Sequence, residues 1–207
     1  MRERFAPSPT GYLHLGHAFS ALTAWRAARS GHGTFLLRME DIDQTRSRPI
    51  YEQAIYQDLS WLGLDWPRPV MRQSERLPIY RRALEQLASH GLCYPCQCSR
   101  KDIEAALSAP QEGGMSTIGP DGAVYPGTCR DRAFTDATRD DAIRLNVTKA
   151  VEWLGGANIV NALAWQEIGS GQPVLHHLNA RDLIQSCGDV VLARRDIGTS
   201  YHLSVVV

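Results

Sequence analysis

The chain has 207 residues with 22 basic and 22 acidic side chains, so its formal net charge is zero. Hydrophobic residues make up 43% of it, an ordinary share for a globular protein with a sizeable core. No apolar run approaches the roughly 18 residues of a membrane span, and the first residues lack the apolar segment of a signal peptide. We therefore expect a cytoplasmic protein that does not enter a membrane.

The first half of the sequence alternates short apolar strands with helical patterns. A strand over "RERFAPS" ends at its prolines, because proline removes a ladder donor and restricts the residue before it. Helical spacing predicts a helix from Leu15 to about Arg29, and "TFLLRME" (Thr34 to Glu40) predicts a second strand. Further helical patterns cover Pro49 to Leu62 and Glu75 to His90. This order predicts an α/β fold with a parallel, doubly wound sheet.

The pattern changes at "GLCYPCQCSR", where three of the five cysteines lie within six residues. Such clustering in a reducing compartment indicates metal binding more than disulfide formation. The Gly- and Pro-rich stretch from Gln111 to Gly127 predicts a loop. After it, "AIRLNV" and "DVVLARR" predict strands, and "TSYHLSVVV" predicts a last strand.

Two histidines, His14 and His17, flank Gly16 where the first predicted helix begins. The free backbone N–H groups and the positive end of the helix dipole favour a phosphate group at this point. Two imidazoles there can donate hydrogen bonds as negative charge builds on a phosphorus atom. Gly16 lets a nucleotide approach the backbone closely. We therefore predict that these residues bind nucleotide phosphates.

Three blocks of the sequence resemble the class I glutamyl-tRNA synthetases. "RFAPSPTGYLHLGH" is similar to the first signature of that family, and "LLRMEDIDQTRSRP" to its next block, with Ile42 in place of the usual Thr. "GDVVLARRDIGTSYHLSVVV" resembles the later segment that carries an amino-acid-contacting tyrosine. The blocks follow the family order. The resemblance implies a class I, Rossmann-like nucleotide-binding fold and ATP-dependent activation of glutamate.

The same resemblance implies which residues contact glutamate. This amino acid carries two carboxylates and an ammonium group, so its site needs cations, hydroxyls and one anion. Arg4 can form a bidentate pair with a carboxylate, and Glu40, at the carboxyl end of its strand, can pair with the ammonium group. The expected glutamate-binding residues are Arg4, Phe5, Ala6, Pro7, Ser8, Glu40 and Tyr201.

The cysteine cluster narrows the resemblance to the glutamyl-queuosine tRNA(Asp) synthetases, short paralogues that lack the anticodon-binding half. Their zinc site is similar to the set Cys96, Cys98, Tyr125 and Cys129 of this chain. Three thiolates and a phenolate oxygen form a plausible tetrahedral zinc set, with the loop closed by the metal. Cys93 is an alternative fourth ligand, and a set of reduced cysteines without metal is the other alternative.

The resemblance also implies a division into three segments. Residues 1–92 would form the first half of the catalytic domain, 93–132 a zinc-binding insertion, and 133–207 the rest of the insertion and the return strands. The implied ligands are L-glutamate, ATP with Mg²⁺, Zn²⁺, and tRNA(Asp) that bears queuosine. Val205 stands where glutamyl-tRNA synthetases usually have Asn, which favours the paralogues. We expect a monomer.

Class I synthetases carry a second signature, a Lys-Met-Ser-Lys-Ser-type loop, that neither Lys101 nor Lys149 matches. We therefore expect a product or fragment truncated at its C-terminus, in which the second half of the nucleotide fold is incomplete. If the chain ends at Val207, glutamate activation should be weak or absent. Three alternatives remain open: the core of a glutamyl-tRNA synthetase, a non-catalytic zinc-stabilised RNA-binding module, and a nucleotidyltransferase that shares the His-x-Gly-His motif.

Overall fold

The structure, a computed structural model, describes residues 1–108, 118–120, 122–169 and 171–207. They divide into two compact parts, a first unit (Met1–Tyr80) and a second unit (Arg81–Val207). Part of the loop expected between Gln111 and Gly127 lies outside the described residues. Within the described ranges, no helix is both long enough and apolar enough to cross a membrane.

The first unit alternates strands and helices, as the sequence predicts. Its elements are β1 (Arg2–Phe5), α1 (Leu15–Ser30), β2 (Thr34–Met39), α2 (Pro49–Trp61), β3 (Met71–Arg72), a 3₁₀ turn (Gln73–Arg76) and the start of α3 (Leu77–Ser89). Strand β2 lies between β1 and β3 and pairs with both in parallel, with Arg4 opposite Leu36 and Arg38 opposite Met71. The predicted parallel sheet is therefore confirmed in this unit.

Local chemistry fixes where the helices of the first unit begin and end. Helix α2 starts with Pro49, whose missing N–H is not needed in the first turn. Helix α1 ends before Gly31, whose N–H donates to the carbonyl oxygen of Ala27 at 3.1 Å. Apolar residues of β1, β2, α1 and α2, together with Leu64, then form one buried core: Phe5, Ala21, Ala28, Phe35, Leu37, Met39, Ile55, Leu59 and Leu64.

The second unit contains a three-stranded antiparallel sheet. Its described elements are β4 (Cys93–Cys96), α4 (Arg100–Ser108), β5 (Ile118–Gly119), β6 (Gly122–Ala123), a 3₁₀ turn (Phe134–Asp136), β7 (Ala142–Leu145), α5 (Val147–Trp153), α6 (Ala157–Ala162), β8 (Ala164–Glu167), β9 (Val174–His177), α7 (Ala180–Asp182), a π-helical turn (Leu183–Cys187), β10 (Val191–Ala193) and α8 (Tyr201–Ser204). Strand β7 lies between β10 and β4. The strands predicted over "AIRLNV" and "DVVLARR" are confirmed as β7 and β10.

The last strand predicted over "TSYHLSVVV" is wrong, because Tyr201–Ser204 form helix α8. Ser200, Leu203 and Ser204 are buried, and their spacing of three and four residues is helical rather than alternating. The β-branched run Val205–Val207 favours a strand by propensity alone, and tertiary packing overrides that preference here.

We predict that Leu59→Ala lowers the free energy of unfolding by about 3 kcal/mol, because it deletes a fully buried side chain and leaves a cavity. The control is Trp61→Ala in the same helix, whose side chain is 85% exposed, with an expected change within about 0.5 kcal/mol. Urea unfolding of both variants measures the difference. Equal losses in the two variants would contradict the placement of the core.

Candidate functional site

The carboxyl ends of β1 and β2 lie at one edge of the parallel sheet. The backbone N–H of Glu40 donates to the carbonyl oxygen of Pro7 at 3.0 Å, and the N–H of Arg48 donates to that of Pro9 at 3.0 Å. The structure therefore brings the segment after β1 directly beside Glu40. Ligands of open α/β sheets bind outside this edge.

The predicted glutamate-binding segment offers two kinds of groups. Phe5 and Pro7 are buried, so they can offer little beyond their backbone groups. Arg4 and Ser8 are exposed and Ala6 is half-buried. A cation and a hydroxyl are thus accessible to a ligand from this short stretch.

Glu40 already has a cationic partner in the structure. The guanidinium of Arg38 donates to its carboxylate at 2.6 Å, and the two side chains are only 9% and 13% exposed. Residues two apart on a strand point to the same face, so the sequence contained a signal for this pair that the sequence analysis missed. An ammonium group bound by Glu40 would share that carboxylate with Arg38.

His14 and His17 form a compact pair at the start of α1. Their ring centroids lie 3.8 Å apart with the planes tilted by 30°. The Nδ1 atom of His14 accepts the backbone N–H of Gly16 at 3.1 Å, and the Nδ1 atom of His17 accepts the N–H of His14 at 3.3 Å. The two side chains therefore cap the helix in a reciprocal arrangement similar to a capping box.

This hydrogen-bonding pattern determines the tautomer of each neutral imidazole. A nitrogen that accepts a backbone N–H carries no proton, so both rings place their proton on Nε2. The first turn of α1 reads Leu-Gly-His-Ala and includes no acidic side chain. The helix start thus offers two Nε2–H donors, together with the N-terminal backbone N–H groups of α1, to an anion.

Gly16 has a structural role inside this pair. A Cβ atom at position 16 would lie 3.1 Å from Cε1 and 3.2 Å from Nδ1 of the His14 ring, closer than ordinary van der Waals contact. A larger residue would therefore displace the His14 imidazole. The expected approach of a nucleotide to Gly16 remains a prediction.

In the second unit, Cys129 comes together with Cys96 and Cys98, although it lies about thirty positions further along the sequence. The Sγ atoms of Cys96, Cys98 and Cys129 all lie within 4.8 Å of one another, and those of Cys98 and Cys129 are 3.6 Å apart. The hydroxyl oxygen of Tyr125 lies 3.4 Å from the Sγ atoms of both Cys96 and Cys98. All four residues predicted as metal ligands are thus neighbours.

The spacing of these four atoms is suitable for one tetrahedral ion. Zinc–sulfur bonds of about 2.3 Å require sulfur atoms roughly 3.8 Å apart, and an oxygen ligand roughly 3.5 Å from each sulfur. Cys93 is not among the three cysteines that the structure gathers. It lies on β4 one residue before Tyr94, so it alternates to the face opposite Tyr94 and Cys96.

The thiols differ in how readily they ionise. Burial raises the pKa of Cys129. Hydrogen bonds from the Tyr125 hydroxyl and the Gln97 backbone lower this pKa by more than burial raises it, to about 7. Burial raises the pKa of Cys93 to about 11, so its thiol stays protonated at neutral pH. This contrast is consistent with Cys129, rather than Cys93, as a metal ligand.

Two local features hold the loop that carries Cys98. The backbone N–H and the hydroxyl of Ser99 both donate to the Asp102 carboxylate at 2.7 Å, a capping arrangement that starts α4 just after the cysteine. Arg195 donates to the carbonyl oxygens of Gln97 and Cys98 at 2.9 and 3.1 Å. Hydrogen bonds on both sides of Cys98 therefore fix the shape of the turn.

A buried polar network supports the cluster, and the sequence analysis missed it. The carboxylate of Asp189 accepts the hydroxyl of Tyr94 at 2.6 Å, the Nε–H of Arg130 at 2.8 Å and the N–H of Val147 at 2.9 Å. Arg144, in the middle of β7, donates from Nε to Cys96 Sγ at 3.3 Å. The sequence does indicate such a network, because a single arginine lies inside the apolar pattern "AIRLNV" and a buried charge requires specific partners.

Tyr201, the predicted glutamate contact of the second unit, lies at the first position of α8 and is 61% exposed. It does not lie on a strand, which corrects the expected location of this residue. Its hydroxyl is free to meet a ligand, and its role stays a prediction.

Comparison with known proteins identifies the family of the chain. A family model described as tRNA synthetases class I (E and Q), catalytic domain, matches residues 1–149. The chain belongs to this family. Its membership and the parallel sheet of the first unit together confirm the class I, Rossmann-like fold expected from the sequence.

Individual relatives agree with this assignment. The chain is 51% identical to a glutamyl-Q tRNA(Asp) synthetase of Rhodobacter capsulatus and spans 72% of its length. It is 44% identical to a glutamate–tRNA ligase of Geobacter sulfurreducens, of which it spans 40%. The crystal structure of a glutamate–tRNA synthetase from Elizabethkingia anophelis superimposes with a TM-score of 0.65 at 25% identity, covering 99% of this chain and 41% of that one.

We predict a pH dependence at the histidine pair. Burial, and then the charge of neighbouring His14, lower the pKa of His17 below its ordinary 6.5. Because the unfolded chain takes up this proton first, folding stability should fall as the pH drops from 6.5 through the folded-state pKa.

NMR titration of His17 in the wild-type chain and in His14→Asn measures this effect. Asparagine keeps an acceptor for the Gly16 N–H but removes the neighbouring charge. The pKa of His17 should rise in the variant yet stay below 6.5, because burial remains. An unchanged or lower value would show that His14 does not act on its neighbour.

Proposed function

We propose that this chain provides the catalytic residues of a glutamyl-queuosine tRNA(Asp) synthetase. The observation that carries the proposal is the 51% identity, across the whole chain, to the Rhodobacter capsulatus protein of that name. In this reaction the α-carboxylate of glutamate attacks the α-phosphorus of ATP, and pyrophosphate leaves. The glutamyl-adenylate then passes its glutamyl group to a hydroxyl of queuosine in tRNA(Asp), which forms an ester and releases AMP.

The histidine pair supports the phosphate-binding part of this proposal. His14 and His17 each offer an Nε2–H group at a helix start, and such donors stabilise charge that develops on phosphate oxygens. A lowered pKa keeps His17 neutral at physiological pH, so the pair does not suffer charge repulsion. Mg²⁺ would accompany ATP and offset the charge of the β- and γ-phosphates.

The edge of the parallel sheet supports the glutamate-binding part. Arg4 and Ser8 offer an exposed cation and hydroxyl, and Glu40, linked to Pro7 by a backbone hydrogen bond, offers an anion. Arg4 would bind a carboxylate, and Glu40 would bind the ammonium group while its charge is moderated by Arg38. Tyr201 is proposed as a further hydroxyl contact. Catalysis would rest on positioning and charge stabilisation rather than on a covalent intermediate with the protein.

We further propose that Cys96, Cys98, Tyr125 and Cys129 hold one Zn²⁺ ion. The three sulfur atoms within 4.8 Å of one another, and the Tyr125 hydroxyl oxygen 3.4 Å from the Sγ atoms of Cys96 and Cys98, support this set. A bound ion would keep the thiols deprotonated and lock residues 93–132 as a zinc-bearing insertion of the catalytic domain. The role of this zinc is structural, because all four positions of a tetrahedral ion are filled by protein ligands.

A second function is favoured by the 44% identity to a glutamate–tRNA ligase. In that case the same adenylate would be formed, but the glutamyl group would pass to tRNA(Glu). The accepting tRNA therefore separates the two functions.

The test uses the protein that contains these residues, ATP, labelled glutamate and three purified tRNAs. We expect glutamate-dependent exchange of pyrophosphate into ATP, and transfer of label to queuosine-bearing tRNA(Asp) but not to tRNA(Asp) without queuosine or to tRNA(Glu). His17→Ala should slow exchange by about 10² or more, since it removes one donor to the transition state. His177→Ala, an exposed histidine outside the pair, is the control.

Each outcome of this assay has a distinct meaning. Label on tRNA(Glu) alone identifies a glutamyl-tRNA synthetase. Exchange that is equally fast in His17→Ala contradicts the proposed role of the pair. Binding of tRNA with no glutamate-dependent exchange at all, in a protein that continues past Val207, favours the non-catalytic RNA-binding alternative.

The zinc proposal predicts a specific ranking of single variants. Cys98→Ser should abolish stoichiometric zinc binding, and Tyr125→Phe should weaken it more than about tenfold, because each removes a ligand. Cys93→Ser should retain full zinc content, as should the control Cys187→Ser. Metal analysis after dialysis against a weak chelator gives the stoichiometry. Loss of zinc in Cys93→Ser with full zinc in Tyr125→Phe would make Cys93 the fourth ligand.

A further inference from the structure

Arg144 makes three contacts that converge on the cysteine cluster. It is only 9% exposed and lies on the central strand of the sheet in the second unit. Its Nε donates to Cys96 Sγ at 3.3 Å, and an Nη atom donates to the backbone carbonyl oxygen of Asp189 at 2.8 Å. Its guanidinium carbon lies 3.8 Å from the centroid of the Tyr125 ring. Two of the three contacts are thus with proposed metal ligands.

The charge of Arg144 has no carboxylate partner among the described residues. Arg144 contacts Asp189 through the backbone carbonyl, whereas the Asp189 carboxylate accepts hydrogen bonds from Tyr94, Arg130 and the N–H of Val147. A buried arginine normally needs an ion pair, because its desolvation is costly. The group that compensates it here is the sulfur and aromatic face of the cluster.

The proposed metal ligands carry more negative charge than one zinc ion neutralises. Three thiolates and one phenolate carry four negative charges, and a divalent ion neutralises only two of them. A guanidinium stacked on the phenolate ring and bonded to one thiolate offsets part of the remainder. Its anchor on the Asp189 carbonyl keeps it in this position.

We propose that Arg144 is a positioning residue of the metal centre, an inference that rests on the proposed zinc site. It holds the Cys96 sulfur and the Tyr125 ring in the geometry that binds one ion, and it supplies the positive charge that the ligand set lacks. Residues that contact metal ligands in this way commonly change metal affinity by about 10- to 100-fold when they are replaced.

The test compares three variants by zinc competition against a chromophoric chelator. Arg144→Met keeps the length of the side chain but removes its charge, and we expect a 10- to 100-fold loss of zinc affinity. Arg144→Lys restores the charge without the planar fork and should recover only part of the loss. Arg194→Met is the matched control, because Arg194 forms an exposed ion pair with Asp196. Its zinc affinity should equal that of the wild type.

A second readout separates positioning from general destabilisation. With Co²⁺ in place of zinc, the visible spectrum reports coordination geometry, and we expect Arg144→Met to alter it while Arg194→Met does not. Circular dichroism of the metal-loaded proteins checks that all variants are folded. If Arg144→Met does not fold, Arg144→Lys is compared with the wild type instead. A lower zinc affinity of Arg144→Lys supports the proposal, and an affinity equal to that of the wild type overturns it.

The outcomes also distinguish this inference from the zinc proposal. A wild-type chain that binds no zinc overturns both. A wild-type chain that binds zinc, with unchanged affinity and unchanged Co²⁺ spectrum in Arg144→Met, overturns only the role of Arg144.

Discussion

The parallel pairing of β1 with β2 is the constraint on which the candidate site of the first unit depends. The register sets Phe5 opposite Leu37, so both strands end at the same edge and the Glu40 N–H can reach the Pro7 carbonyl. A slip of one residue would turn every side chain of a strand to the other face. It would also remove Glu40 from the segment that holds the exposed Arg4 and Ser8. The location of the proposed glutamate-binding groups is therefore a consequence of strand register.

In the second unit, the buried carboxylate of Asp189 connects the stretches of chain around the cysteine cluster. It joins strand β4 through Tyr94, the segment after Cys129 through Arg130, and the start of α5 through Val147. Its backbone carbonyl also fixes Arg144. Three separate stretches of the chain are thus held by one residue, and hydrogen bonds in such a buried network reinforce one another. This framework packs against the strands and the segment that carry the cysteines.

The sequence predicts part of this arrangement well, and the reason differs from element to element. Periodicity locates α1, β2 and α2, because a single amphipathic or apolar pattern covers each of them. It fails at α8, where burial of Leu203 overrides the β-branched run that follows. Periodicity also does not predict the antiparallel pairing of β7 with β4, because this pairing depends on contacts between residues about fifty positions apart.

At both candidate sites, the sequence predicts the motif residues but not their neighbours in the structure. Motifs locate the proposed ligand-binding residues, namely the histidines and the cysteines, but they do not reveal the side chains and backbone groups that these residues contact. Both sites crowd groups that repel one another when charged. In the histidine pair, backbone N–H groups donate to Nδ1 of both rings, and burial followed by the charge of His14 lowers the pKa of His17. In the cysteine cluster, the proposed metal ligands would be anionic, and a cation from another strand, Arg144, contacts Cys96 and the Tyr125 ring. The chemistry that each ligand demands therefore decides which kind of neighbour the fold must supply.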